Sequence, residues 1–149
     1  MTGLIGVTNF VCSLIGIIFL SYFGRRSIML WGSLLMSISL LGLGATTFYQ
    51  YQYGEIAMIG VFIFAFEISS GPVTWVYLAE MLQDKAYSIA TAIIQIIAMI
   101  ISAVLPFVTY ALKDDHAKYG FIWIACGAMT SLGTLFLYVY MKETKGLSL

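Results

Sequence analysis

The sequence predicts an all-α fold, a polytopic membrane bundle of five transmembrane helices, on three observations. Apolar side chains make up 61% of the 149 residues and charged ones 9%, against roughly 45–50% and about 25% in soluble domains. The apolar residues gather into five runs, each long enough to cross a hydrocarbon core, which takes about 20 residues of helix. No series of short alternating segments occurs, which excludes a β-barrel. A mean hydropathy of +0.97 fits a chain whose main solvent is lipid.

The first run covers about 2–23 and stops at Gly24-Arg25-Arg26. The second, about 27–49, ends in the polar, aromatic stretch Gln50-Tyr51-Gln52-Tyr53-Gly54. The third, about 55–80, is interrupted by Gly71-Pro72. Pro72 has no N–H, so the carbonyl of Ile68 loses its helical partner there. The fourth, about 87–112, follows Gln83-Asp84-Lys85 and contains Pro106. A hydrated loop over 113–118 leads to the fifth, about 120–141, and residues 142–149 form a polar tail. Small residues four apart, Ser88/Ala92, Ala98/Ser102 and Gly127/Ser131, let helices approach closely in lipid and argue for a bundle.

Several function classes fall away. Seven basic and seven acidic residues leave no net charge, so no basic surface exists to hold nucleic acid. Cys12 and Cys126 lie far apart in apolar runs, with no CxxC pair or Cys/His cluster, so no metal, redox or cofactor site is expected. Both read as packed small hydrophobes. His116, beside Asp114 and Asp115, reads as a solvated loop residue. No Ser or Cys in the spans has a His or carboxylate partner fit for nucleophilic catalysis, so an enzyme is not expected.

Orientation follows from the basic residues. Arg25, Arg26, Lys85, Lys142 and Lys145 fall on one side, and only Lys113 and Lys118 on the other. Five against two puts the C-terminus in the cytosol and the N-terminus across the membrane. Met1 is followed by no basic n-region or A-x-A cleavage site, so no secretory signal is read there. A chain that starts outside without one leads us to expect earlier helices ahead of it.

Polar residues inside the spans mark candidate sites. Glu67 sits between Phe66 and Ile68, where an ionisable group costs several kcal/mol or more. Gly71 and Trp75 follow at four and eight residues, drifting slowly around one helix face. A polar, aromatic face beside a broken helix is how many carriers build a site near the midplane; packing against a backbone group is the bland alternative. Asn9 in the first run is balanced between an interhelical hydrogen bond and a solute contact, and Gln95 in the fourth leans to the former.

Gly24-Arg25-Arg26 after a helix, Glu67, Gly71-Pro72-x-x-Trp75, Ala79-Glu80 at a helix end and Glu143-Thr144-Lys145-Gly146 occur in order over nearly the whole chain. Together they resemble the C-terminal half of sugar porters of the major facilitator superfamily, similar to facilitative glucose transporters. The resemblance makes residues 1–149 a partial C-terminal half, helices eight to twelve of twelve, carrying a hexose-like solute by alternating access. It implies that Asn9, Glu67 and Trp75 contact the sugar, and that Arg25, Arg26, Glu80 and Glu143 belong to a cytoplasmic gate. The pattern is departed from at Ser21-Tyr22, where the family has an acidic-Arg pair. It is departed from again at Ile96-Ile97, where the family has Asn-Trp, and at Lys142, where it has Pro. The expected partners are the solute, the bilayer, and the missing N-terminal half or another chain. The alternative is a truncated, non-transporting membrane protein or a packing subunit.

Overall fold

The computed structural model describes residues 14–16, 18, 22–82, 84–112 and 116–142. Asn9, Cys12, Glu143 and most of the first predicted span lie outside the described residues. Among those described, the regular elements are helices: α1 (Arg25–Phe48), α2 (Gln52–Ile68), α3 (Ser70–Met81), α4 (Asp84–Leu112) and α5 (His116–Tyr140). With α2 and α3 taken as one interrupted span, Gln52–Met81, they supply four stretches long and apolar enough to cross a membrane. The all-helical membrane architecture therefore holds.

The turn after α1 is tighter than its composition implies. The helix ends at Phe48 and α2 begins at Gln52, so three of the five residues over 50–54 are helical. The N–H of Tyr51 donates to the carbonyl of Thr46 (3.0 Å) and that of Gln50 to Thr47 (3.2 Å). This is a Schellman ending, which calls for a left-handed residue after the cap, usually Gly. Here Gln50 adopts it, at φ 54°. Such a conformation costs a non-glycine residue about 1–2 kcal/mol. The loop expected over 113–118 is likewise shortened, since α5 already starts at His116.

The core is the seam between α1 and its two neighbours, α2 and α5. Half of the most apolar stretch of α1 is buried. Its small residues set the spacing to α5. A Cβ on Gly44 would come within 3.0 Å of the Gly120 carbonyl, and one on Gly127 within 3.0 Å of the Leu41 nitrogen. The Ser37 hydroxyl meets that of Ser131 at 2.5 Å, and Ser131 also bonds back to the Gly127 carbonyl. Of the three small-residue pairs, Gly127/Ser131 thus works as a packing surface, as backbone contact in lipid requires. Ser88, Ala92, Ala98 and Ser102 are exposed on α4, whose apolar stretch is not covered by the other described residues.

Candidate functional site

The third span is broken at one residue. Ser69 stands at φ −114°, ψ −85° between α2 and α3. Gly71 and Pro72 sit just beyond it, as the second and third residues of α3. In the first helical turn a missing N–H removes no bond within α3, because the first four N–H groups have no intrahelical acceptor. The cost falls on α2, where the Ile68 carbonyl faces the proline. The sequence locates the cause of the break, while the non-helical residue lies three positions earlier. The Ser69 hydroxyl folds back onto the Ala65 carbonyl at 2.6 Å, and Ser69 is 1% exposed.

Two glycines from other helices press on this break. A Cβ on Gly16 would lie 2.8 Å from the Glu67 carbonyl and 3.1 Å from the Ile68 Cα. A Cβ on Gly32 of α1 would overlap the Ser69 side chain. Sequence reasoning missed both. Their signal was a glycine inside a helical run, which often marks close approach, but such glycines are frequent here.

Glu67 is half-buried at the end of α2, and Trp75 in α3 is 40% exposed. They lie on opposite sides of Ser69, so the regular periodicity that would carry one face from Glu67 to Trp75 is interrupted between them. Gln95 is exposed on α4. A cavity of about 320 Å³ opens beside the break, lined by Phe23, Trp31, Gly32, Phe64, Ile68 and Ser69 among others. Its walls are almost wholly apolar and include neither Glu67 nor Trp75, so it suits acyl chains rather than a polyol.

The charged end is assembled more fully. Arg25 donates to one carboxylate oxygen of Glu80 through Nη2 at 2.7 Å and Nε at 3.1 Å. Arg25 opens α1 and Glu80 closes α3, so each charge opposes the dipole of its own helix, and pairing offsets both penalties. Arg26 donates from Nη2 to the Tyr138 carbonyl at 2.8 Å and stands 5.9 Å from the centre of that ring. Tyr138 is in the last turn of α5, where carbonyls lack intrahelical donors and a cation is favoured. The backbone N–H of Lys142 donates to the Tyr77 hydroxyl at 3.3 Å. Three of the four predicted gate charges are thus placed at one end, two of them paired. Tyr77 and Tyr138 had no sequence signal, because their roles use a hydroxyl and a carbonyl.

The family described as sugar (and other) transporters matches residues 1–149. The D-xylose-proton symporter of Escherichia coli is 32% identical over 158 residues, covering 99% of this chain and 31% of the symporter. The glucose transport protein of Synechocystis is 30% identical, covering all of this chain and 34% of that protein. A facilitated trehalose transporter of Anopheles gambiae is 29% identical over 99% of the chain. The chain spans about a third or less of the length of these relatives. The xylose symporter bound to 6-bromo-6-deoxy-D-glucose superposes with a TM-score of 0.87 at 29% identity, covering 99% of this chain and 32% of that one. Its inward-open form gives 0.79 at 28% identity over 97% and 33%. These relatives are transporters, not enzymes, in line with the missing nucleophile–base pair.

Proposed function

Because this chain belongs to the sugar (and other) transporter family, we propose that it supplies part of a carrier moving a hexose-like sugar across a membrane by alternating access. The observation that carries this reading is the broken third span, with Glu67 at the break and a paired charge at its far end. The segment α3 joins the two. Its upper end meets the sugar region and its lower end holds Glu80 against Arg25. A small turn at Ser69 then changes the gate and the site together. Pairing in one state and hydration in the other biases a two-state equilibrium by the difference between them.

The sugar lies between Asn9, Glu67, Trp75 and groups from outside this chain. Glu143 joins the gate charges at the same end. The chain contains one wall of such a site, and the opposing wall comes from an N-terminal half or another chain. The test replaces the matching third of the E. coli xylose symporter with residues 1–149 and follows labelled xylose and glucose uptake. Saturable uptake by the chimera is expected, with none from the 149-residue chain in liposomes. A folded, membrane-inserted chimera without uptake would favour a non-transporting protein, and flux from the short chain would mean that it assembles a site by itself.

The basic-residue asymmetry gives a C-terminus in the cytosol. Single cysteines at Asp114 and Lys145 test it with a membrane-impermeant thiol reagent. Labelling is expected at Asp114 from outside and at Lys145 only after permeabilisation; the reverse order overturns both the orientation and the inner position of the gate.

A further inference from the structure

Three helix ends meet at the charged face, and among the described residues a tie joins each pair of them. Arg25–Glu80 joins α1 to α3, Arg26–Tyr138 joins α1 to α5, and Tyr77–Lys142 joins α3 to the residue that follows α5 by two positions. The first two use a charge. The third is neutral, and it holds the end of α3 to the end of α5 directly. Beside it Met141 is 5% exposed, and its N–H still bonds to the Leu137 carbonyl at 2.9 Å, so the chain leaves α5 in a fixed direction. That direction aims the next N–H, that of Lys142, at the Tyr77 hydroxyl.

We propose that Tyr77 is a positioning residue of the inner gate: its hydroxyl latches α3 to the α5 terminus, so that α3 swings away only when this bond and the Arg25–Glu80 pair both open. The latch rests on the alternating-access reading only for its consequence in transport; the bond and its effect on α3 are independent of it. Two features make it a latch rather than packing. The acceptor is a single phenolic oxygen at the tip of a half-buried ring, so removing it leaves the ring contacts in place. The partner is a backbone N–H beyond the last helical turn, so among side-chain substitutions at Lys142 only proline, which has no N–H, abolishes it. Being uncharged, the tie is also little affected by salt, whereas an exposed charge pair weakens as ionic strength rises.

The experiment uses the full chain in lipid nanodiscs, with Cys12 and Cys126 replaced by Ser and spin labels at Ala79→Cys and Tyr140→Cys, both exposed positions. The unsubstituted Tyr77 background is expected to give one short distance population. Tyr77→Phe is expected to raise a longer population about three- to tenfold, and further in high salt. Amide exchange at Lys142 should accelerate by a similar factor in Tyr77→Phe while exchange in α1 stays unchanged. This second measurement reads the bond even if the labelled protein is perturbed. An unchanged distance distribution together with unchanged exchange at Lys142 overturns the latch. Failure of the carrier reading shows separately. If Tyr77→Phe loosens α3 but leaves the rate of sugar exit from the chimera unchanged, the latch exists and the gate assignment is wrong.

Discussion

Replacing Glu67 by Gln in the transporting chimera is expected to lower uptake by ten- to a hundredfold while expression and membrane insertion survive. Leaving a buried hydrogen-bonding group without its partner costs about 1–3 kcal/mol, and every 1.4 kcal/mol is a factor of about ten. Gln keeps the shape but replaces one carboxyl oxygen with an NH2 donor, so the loss falls on sugar recognition rather than on packing. Trp75→Ala removes an exposed aromatic face against which a sugar ring can lie. It is expected to weaken binding about tenfold, read as a rise in the half-saturating sugar concentration. Wild-type uptake in both variants would reduce Glu67 and Trp75 to packing residues and leave the broken span without a solute.

Gly32→Leu is expected to destabilise the bundle by about 2–3 kcal/mol, the upper part of the usual cost of overpacking. The atom that the substitution adds first already overlaps the Ser69 side chain. Ser69 cannot retreat, because it is 1% exposed and its hydroxyl is held by Ala65. Gly133→Leu is the control. A Cβ there meets nothing within 4 Å, and replacing glycine in a helix interior gains about 0.5–1 kcal/mol for Ala, so no loss is expected. Gly32→Ala should be milder than Gly32→Leu and partly rescued by Ser69→Gly, which deletes the obstructing atoms. Thermal unfolding in detergent, followed by helix signal, distinguishes these. Equal stability of Gly32→Leu and Gly133→Leu would mean that α1 does not bear on the break.

Glu67→Gln and Gly32→Leu probe the two sides of one break. The substitution at Gly32 removes the fit that holds Ser69 in its non-helical conformation, and the one at Glu67 removes the polar group that the break presents. The first should lower stability in any membrane protein with this packing. The second should matter only to a carrier. A stable Glu67→Gln variant without uptake, beside an unstable Gly32→Leu variant, is the combination that ties the architecture to transport.

The sequence by itself determined the class and the family. These depend on composition and on runs of about 20 apolar residues, which are local properties that lipid reads directly. It also identified Pro72 as the cause of a break and Arg25, Arg26 and Glu80 as charges at helix ends, because a missing N–H and a charge beside an apolar run are visible in one dimension. The tertiary structure decided the rest. It moved the non-helical residue to Ser69, since a proline acts on the turn before it and neighbouring helices choose which residue yields. It put Gly127/Ser131 against α1, because spacing defines a face but not what that face meets. It brought Tyr77 to Lys142 and Arg26 to Tyr138, contacts made through a hydroxyl and a carbonyl that nearly every stretch of this chain also possesses. Such groups gain meaning only when packing brings distant helix ends within about 3 Å of one another.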